Sequence, residues 1–122
     1  MKYALMFADS VENLEAFAKV PEATRRAALG QVAKWFEEHG KAGRIVSTYG
    51  LQGQSSATTV RIKNGKAIVT DGPFIETKEV LNGIAIVEVA DLDEALAMAK
   101  TWPGGGDGRM VEVRPVVEHL DA

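Results

Sequence analysis

The sequence predicts an α+β domain whose elements run in the order β, α, β, β-hairpin, β, α, β. Three observations carry this reading. Residues 2–8 and 83–89 are apolar stretches of strand length. Apolar side chains at three- and four-residue steps follow each of them, as amphipathic helices require. Asn64-Gly65 sits between two β-type runs and supplies the positive φ angles of a type I′ hairpin turn. A chain of 122 residues with 46% hydrophobic content has the size of one compact domain, taken as residues 1–122.

Taken in order, residues 2–8 (KYALMFA) place Tyr3, Leu5 and Phe7 on one side of an extended chain and Ala4 and Met6 on the other, as a strand covered on both faces requires. Ser10 caps a short helix over residues 10–19, where Leu14, Phe17 and Ala18 share a face; Val20-Pro21 then interrupts it, because the residue before a proline avoids the helical region. Pro21 opens a longer helix with Ala28, Val32, Trp35, Phe36 and His39 on its apolar face, and Gly40 is expected to end it in a left-handed cap. Residues 44–49 (RIVSTY) form the next strand, 58–69 the hairpin and 83–89 (GIAIVEV) a further strand. Asp91 caps a helix over 92–100, Glu94 reaches back to it, and Leu92, Ala95, Leu96 and Ala99 make the buried stripe. Trp102-Pro103 ends that helix and GGGDG (104–108) is a connector. Residues 110–117 (MVEVRPVV) alternate as a strand with Val111, Val113 and Pro115 facing one way, and Pro115 places it at an edge or a strand end.

Without the hairpin the order is βαββαβ, the split arrangement of a ferredoxin-like sheet with both helices on one face. The other face then carries apolar side chains with nothing over them, and an exposed apolar area of that kind marks an interface. A homodimer through the open sheet face is the economical solution. It leaves a cavity or rim where the hairpin and the segment Asp71-Gly72-Pro73-Phe74-Ile75-Glu76-Thr77-Lys78-Glu79 meet the partner.

Composition removes several chemistries. With no cysteine there is no disulfide, no thiolate nucleophile and no zinc-thiolate site. A net charge of −3, a pI near 5.4 and a single adjacent basic pair, Arg25-Arg26, argue against nucleic acid. The N-terminal apolar run meets Asp9 too early for a secretory segment or a membrane span, so a cytoplasmic protein with no membrane partner is expected. His39 and His119 lack a second ligand at metal spacing, and GGGDG lacks the context of a phosphate loop, so neither metal nor cofactor is expected. As the closing residue of its helix, His39 is instead read as a cation favoured by the helix dipole.

DGPFIETKE is the densest run of chemistry. A turn explains Asp71, Gly72 and Pro73 but not the charges that follow. Asp71 either gives its carboxylate to its own turn or projects into a pocket as a general base or anchor. Glu76 and Lys78 share a face in an extended chain; they are solvated, clamp a polar ligand, or form an interface pair. Arg114 shares the polar face of the last strand with Glu112 and serves in a cross-strand ion pair or binds a carboxylate. Tyr3 and Tyr49 either pack or offer hydroxyls to a cavity. Asp9, at the exit of the first strand, reads as a cap or turn acid.

MKYALMF at the start, VTDGPFIETKEVLNGIAIVEVADLDEALAMA in the middle and VEVRPV near the end closely resemble the DGPF branch of the YCII-related (YciI-like) proteins, over nearly the whole chain. The resemblance implies a ferredoxin-like fold that pairs into a dimeric α/β barrel, in a bacterial protein often encoded near extracytoplasmic-function sigma factors. It does not imply one reaction. Other YciI-like members resemble small cofactor-free enzymes, one type being a dehydrochlorinase with a His and Asp pair. Where those enzymes resemble R-P-x-H, this chain reads Val20-Pro21-Glu22-Ala23-Thr24-Arg25, so the imidazole that would move the proton is missing. Two functions follow: a binding protein, acting as a regulatory partner or sensor for a small polar molecule, or a cofactor-free proton-transfer, elimination or dehydrochlorination enzyme. In the second, Asp71 is the base and Glu76, Lys78 or Arg114 position the substrate.

Overall fold

The computed structural model describes residues 1–73 and 78–118. Strand β1 (Lys2–Ser10) alternates half-buried and buried side chains along its whole length, which places Tyr3, Leu5, Phe7 and Asp9 on the covered face. Ser10 then accepts a hydrogen bond from the Asn13 N–H at 3.0 Å and starts α1 (Val11–Lys19). Val20 is extended before Pro21, and Arg25 Nη1 donates to the carbonyls of Ala18 and Val20, each at 3.1 Å, closing the elbow into α2 (Glu22–Lys41). In α2 only Trp35 is fully buried; Val32, Phe36 and His39 are half-buried. Ala28, expected on the apolar face, is exposed, because the inward-facing side chains fall in the second half of the helix. Gly40 stays helical. The helix runs on to Lys41, and Gly43, with φ +75°, takes the left-handed position expected of Gly40.

After β2 (Ile45–Gly50) a short 3₁₀ turn (Gln54–Ser56) leads into the hairpin of β3 (Thr58–Lys63) and β4 (Lys66–Asp71). Asn64 and Gly65 turn it with φ of 53° and 74°, as the sequence predicts. Strand β5 (Glu79–Glu88) begins at Glu79 rather than Gly83, because β1 continues to Ser10 and pairs there with Glu79. A bulge intervenes: Phe7 faces Gly83 and Ala8 faces Leu81, leaving Asn82 as the extra residue. Asp91 Oδ1 accepts from the Glu94 N–H at 3.0 Å and starts α3 (Leu92–Lys100). Ala95 and Met98 are buried, Leu96 and Ala99 half-buried, and Leu92 is 45% exposed. The buried stripe is therefore rotated from the expected one, with Met98 in place of Leu92.

Strands β2, β5, β1 and β6 (Met110–Pro115) form an open antiparallel sheet in the order β2-β5-β1-β6, while β3 and β4 form a two-stranded sheet of their own. β6 is an edge, as Pro115 requires. The core lies on the face of Tyr3, Leu5, Phe7, Ala85 and Val87, where Trp35, Ala95 and Met98 pack. Phe7 stacks on Trp102 with ring centroids 4.0 Å apart and meets Trp35 edge-on at 6.1 Å. Trp35 Nε1 donates to Thr101 Oγ1 at 3.0 Å, so the buried indole keeps its hydrogen bond.

The opposite face reads in rows across the strands. Arg114, Ala4, Ile86 and Ser47 form one row, and Glu112, Met6, Ile84 and Tyr49 the next. Ala4, Met6, Ile84 and Ile86 are each half-buried. Among the described residues no helix is long and apolar enough to cross a membrane.

Candidate functional site

Where β2 leaves the sheet, the path through the 3₁₀ turn and back into β3 bounds a cleft of about 940 Å³ against the start of β5. Three hydrogen bonds hold its walls: Leu51 N–H donates to the bulged Asn82 carbonyl at 2.9 Å, Gly72 N–H to Ala57 O at 2.8 Å, and Thr59 Oγ1 to Gly72 O at 2.6 Å. Leu51, Ala57 and Leu81 give it apolar lining, Thr58 a hydroxyl, Lys78 a cation and Glu79 a carboxylate. The Lys78 carbonyl accepts from the Val11 N–H at 2.7 Å, which fixes that backbone against the start of α1. A concave, largely apolar site with a few convergent polar groups is the usual form of a small-molecule pocket.

Pro73 and Lys78, on either side of residues 74–77, both line this cleft. Glu76 lies outside the described residues, as does His119. Asp71 ends β4 opposite Thr58 and is exposed; it does not line the cleft, and its carboxylate makes no hydrogen bond among the described residues. The turn after it is closed by Gly72, at φ +107°, and by Thr59 rather than by the carboxylate. Arg114 is exposed beside Ala4 and pairs with Glu112 two residues back on its own strand, not across strands. Tyr3 and Tyr49 lie on opposite faces. Tyr3 is 3% exposed in the core, where its Oη donates to Met1 Sδ at 3.9 Å, while Tyr49 is 67% exposed opposite Ile84. The structure thus brings Lys78 to the cleft and leaves Asp71, Arg114, Tyr3 and Tyr49 apart from it.

Two groups carry more than the sequence disclosed. Asp9 is 2% exposed and forms no ion pair among the described residues. Its Oδ1 accepts from Ser10 N–H at 2.8 Å and Asn13 Nδ2 at 2.7 Å, and its Oδ2 from Gly106 N–H at 2.9 Å. The turn role expected of it is therefore only part of the arrangement. It also binds the distant glycine run, a long-range contact that strand and helix periodicity does not register. His39 lies 4.5 Å from the Trp35 ring, and its Nδ1 accepts from Arg44 Nη1 at 3.2 Å. Burial lowers its pKa from 6.5 and the Arg44 charge lowers it further. The helix-end cation expected there is therefore disfavoured, since burial and the Arg44 charge both work against the protonated ring. No three acidic or histidine side chains converge among the described residues.

Comparison with known proteins places the chain in a wider group. Residues 1–119 match the YCII-related domain. An uncharacterised protein of Rhizobium meliloti (strain 1021) is 33% identical over 117 residues, which cover 95% of this chain and 92% of that protein. Both matches extend over nearly the whole chain, and the chain belongs to the YCII-related family.

Proposed function

We propose that this protein is a cytoplasmic member of the DGPF branch that pairs through its open sheet face and binds a small polar molecule at the rim, as a sensor or regulatory partner. The observation that carries the reading is that Pro73 and Lys78 both line a cleft of about 940 Å³ with apolar walls. The order β2-β5-β1-β6, with the hairpin set apart, supports the ferredoxin-like reading, in which two such sheets would pack face to face as a dimeric α/β barrel. Ala4, Met6, Ile84 and Ile86 would meet their counterparts there. The hairpin favours a partner too, since Val60, Ile62 and Val69 are 57%, 77% and 66% exposed.

The enzymatic reading, a cofactor-free proton transfer or elimination with Asp71 as base, keeps one supporting observation: the Asp71 carboxylate is not consumed by its turn. It ranks second. Asp71 does not line the cleft, and where the dehydrochlorinase type has the histidine of R-P-x-H, this chain has Ala23. An alanine side chain carries no group that can exchange a proton.

Isothermal titration with malonate and glycolate tests the binding reading. Saturable binding lost in Lys78→Ala and retained in Asp71→Asn supports it. Binding indifferent to Lys78, or none, removes the cleft as the site, and turnover abolished by Asp71→Asn would promote the enzyme.

A further inference from the structure

The glycine run after α3 is tied down at more points than a connector needs. Gly106 N–H donates to the buried Asp9 carboxylate at 2.9 Å, Asn13 Nδ2 donates to Asp107 O at 2.8 Å, and Arg109 N–H donates to Gly106 O at 3.1 Å. The approach is so close that a Cβ on Gly105, at φ +91°, would fall 2.5 Å from Asp9 Oδ2, and one on Gly106 2.6 Å from the Asn13 side chain. What this fixing presents is Arg109. Its Nε donates to Trp102 O at 3.2 Å and its Nη1 to Gly106 O at 3.4 Å, which leaves Nη2 unbonded among the described residues.

Between this loop, α3 and β6 lies a second groove of about 440 Å³, sharing no lining residue with the cleft. Leu96 and Ala99 of α3 and Val113 of β6 line it with aliphatic carbon, and Trp102 adds an indole. Its charged lining is Lys100, Arg109 and Asp107. Lys100 Nζ makes no hydrogen bond or ion pair among the described residues. Two cations against one carboxylate leave a single positive charge in a groove of mixed lining, whose apolar wall is Leu96, Ala99, Trp102 and Val113, in a chain whose net charge is −3. That balance suits a monoanion better than a dianion or a cation, and the guanidinium edge suits a carboxylate.

We infer that the groove between α3 and β6 binds a small monocarboxylate with a flat apolar body, its carboxylate at Lys100 and Arg109 and its body against Trp102, Leu96 and Val113. Asp9 is a positioning residue for this site: it touches no ligand and holds the loop that sets Arg109. The site is independent of the cleft reading and survives its failure.

The test is a titration of the ¹⁵N-labelled protein with phenylacetate, followed by amide chemical shifts, with 2-phenylethanol as the uncharged counterpart. Phenylacetate should give saturable shifts at Leu96, Ala99 and Gly108. Lys100→Glu, a surface change that leaves the core intact, should weaken binding at least about fivefold, and 2-phenylethanol should bind the native protein correspondingly less well. Lys78→Ala should change nothing. Absence of saturable shifts at these residues overturns the inference. So does equal affinity for acid and alcohol, an affinity indifferent to Lys100→Glu, or loss of binding in Lys78→Ala.

Discussion

Replacing Asp9 by alanine should be among the most damaging single changes in this chain. The side chain is 2% exposed and satisfies three donors from three places: Ser10 N–H, Asn13 Nδ2 and Gly106 N–H. A hydrogen bond to a charged group contributes about 1.5–3 kcal/mol, so the three sum to roughly 4–9 kcal/mol. Alanine also relieves the cost of burying a carboxylate that forms no ion pair among the described residues, and that relief returns part of the sum. The expected net loss is about 3–5 kcal/mol. At roughly 4 °C per kcal/mol for a domain of this size, Tm should fall by about 12–20 °C. Asp9→Asn keeps one acceptor oxygen but turns an amide donor toward other donors, and should lose about 2–3 kcal/mol. Urea unfolding followed through Trp35 and Trp102 emission, with calorimetry alongside, measures both. A loss below about 1 kcal/mol for Asp9→Ala would show that water replaces the carboxylate at little cost and would refute the accounting.

Three further outcomes are expected. Gly105→Ala forces a positive φ on alanine and a contact with Asp9 Oδ2, and should cost about 2–3 kcal/mol; in the Asp9→Ala background the cost should shrink by about 1 kcal/mol, read from a double-mutant cycle. His39 has a lowered folded pKa, so below 6.5 the unfolded chain takes up a proton that the folded protein refuses. Stability should be full at neutral pH and decline as pH falls from 6.5 toward the lowered value; urea midpoints between about pH 7.5 and 5 should show a step that His39→Asn flattens. Met6→Asp places a charge in the middle of the open sheet face and should leave a folded monomer by sedimentation velocity; a wild-type protein that already sediments as a monomer at micromolar concentration contradicts the face-to-face pairing.

Local chemistry was the most legible part of this chain. Ser10 and Asp91 cap the helices assigned to them, Asn64-Gly65 turns the hairpin, and Pro115 ends an edge strand, because each depends on neighbours within a few residues. Helix ends and faces were less legible. Gly40 and Gly43 offer the same left-handed cap, and only the packing of Trp35 and His39 decides how far α2 continues. Leu92 and Met98 both fit an apolar stripe, and the rotation that chooses Met98 is set by the sheet beneath. At the site, the motif around Pro73 and Lys78 was visible as an excess of charge after a turn. The clasp of Asp9 on Gly106 was not, since a contact between residues so far apart in sequence leaves no periodicity.

The β3–β4 hairpin has a consequence of its own. It forms a sheet of two strands, and its side chains are exposed apart from a half-buried Thr59. An isolated two-stranded ribbon is marginal in water, so little in this chain's own core secures its ladder. Its amides should therefore exchange with solvent long before those of β1 and β5, and slow when something covers Val60 and Ile62. Hydrogen exchange at this one ribbon would then act as a gauge of occupancy, registering a second copy or a bound partner before that partner has been identified.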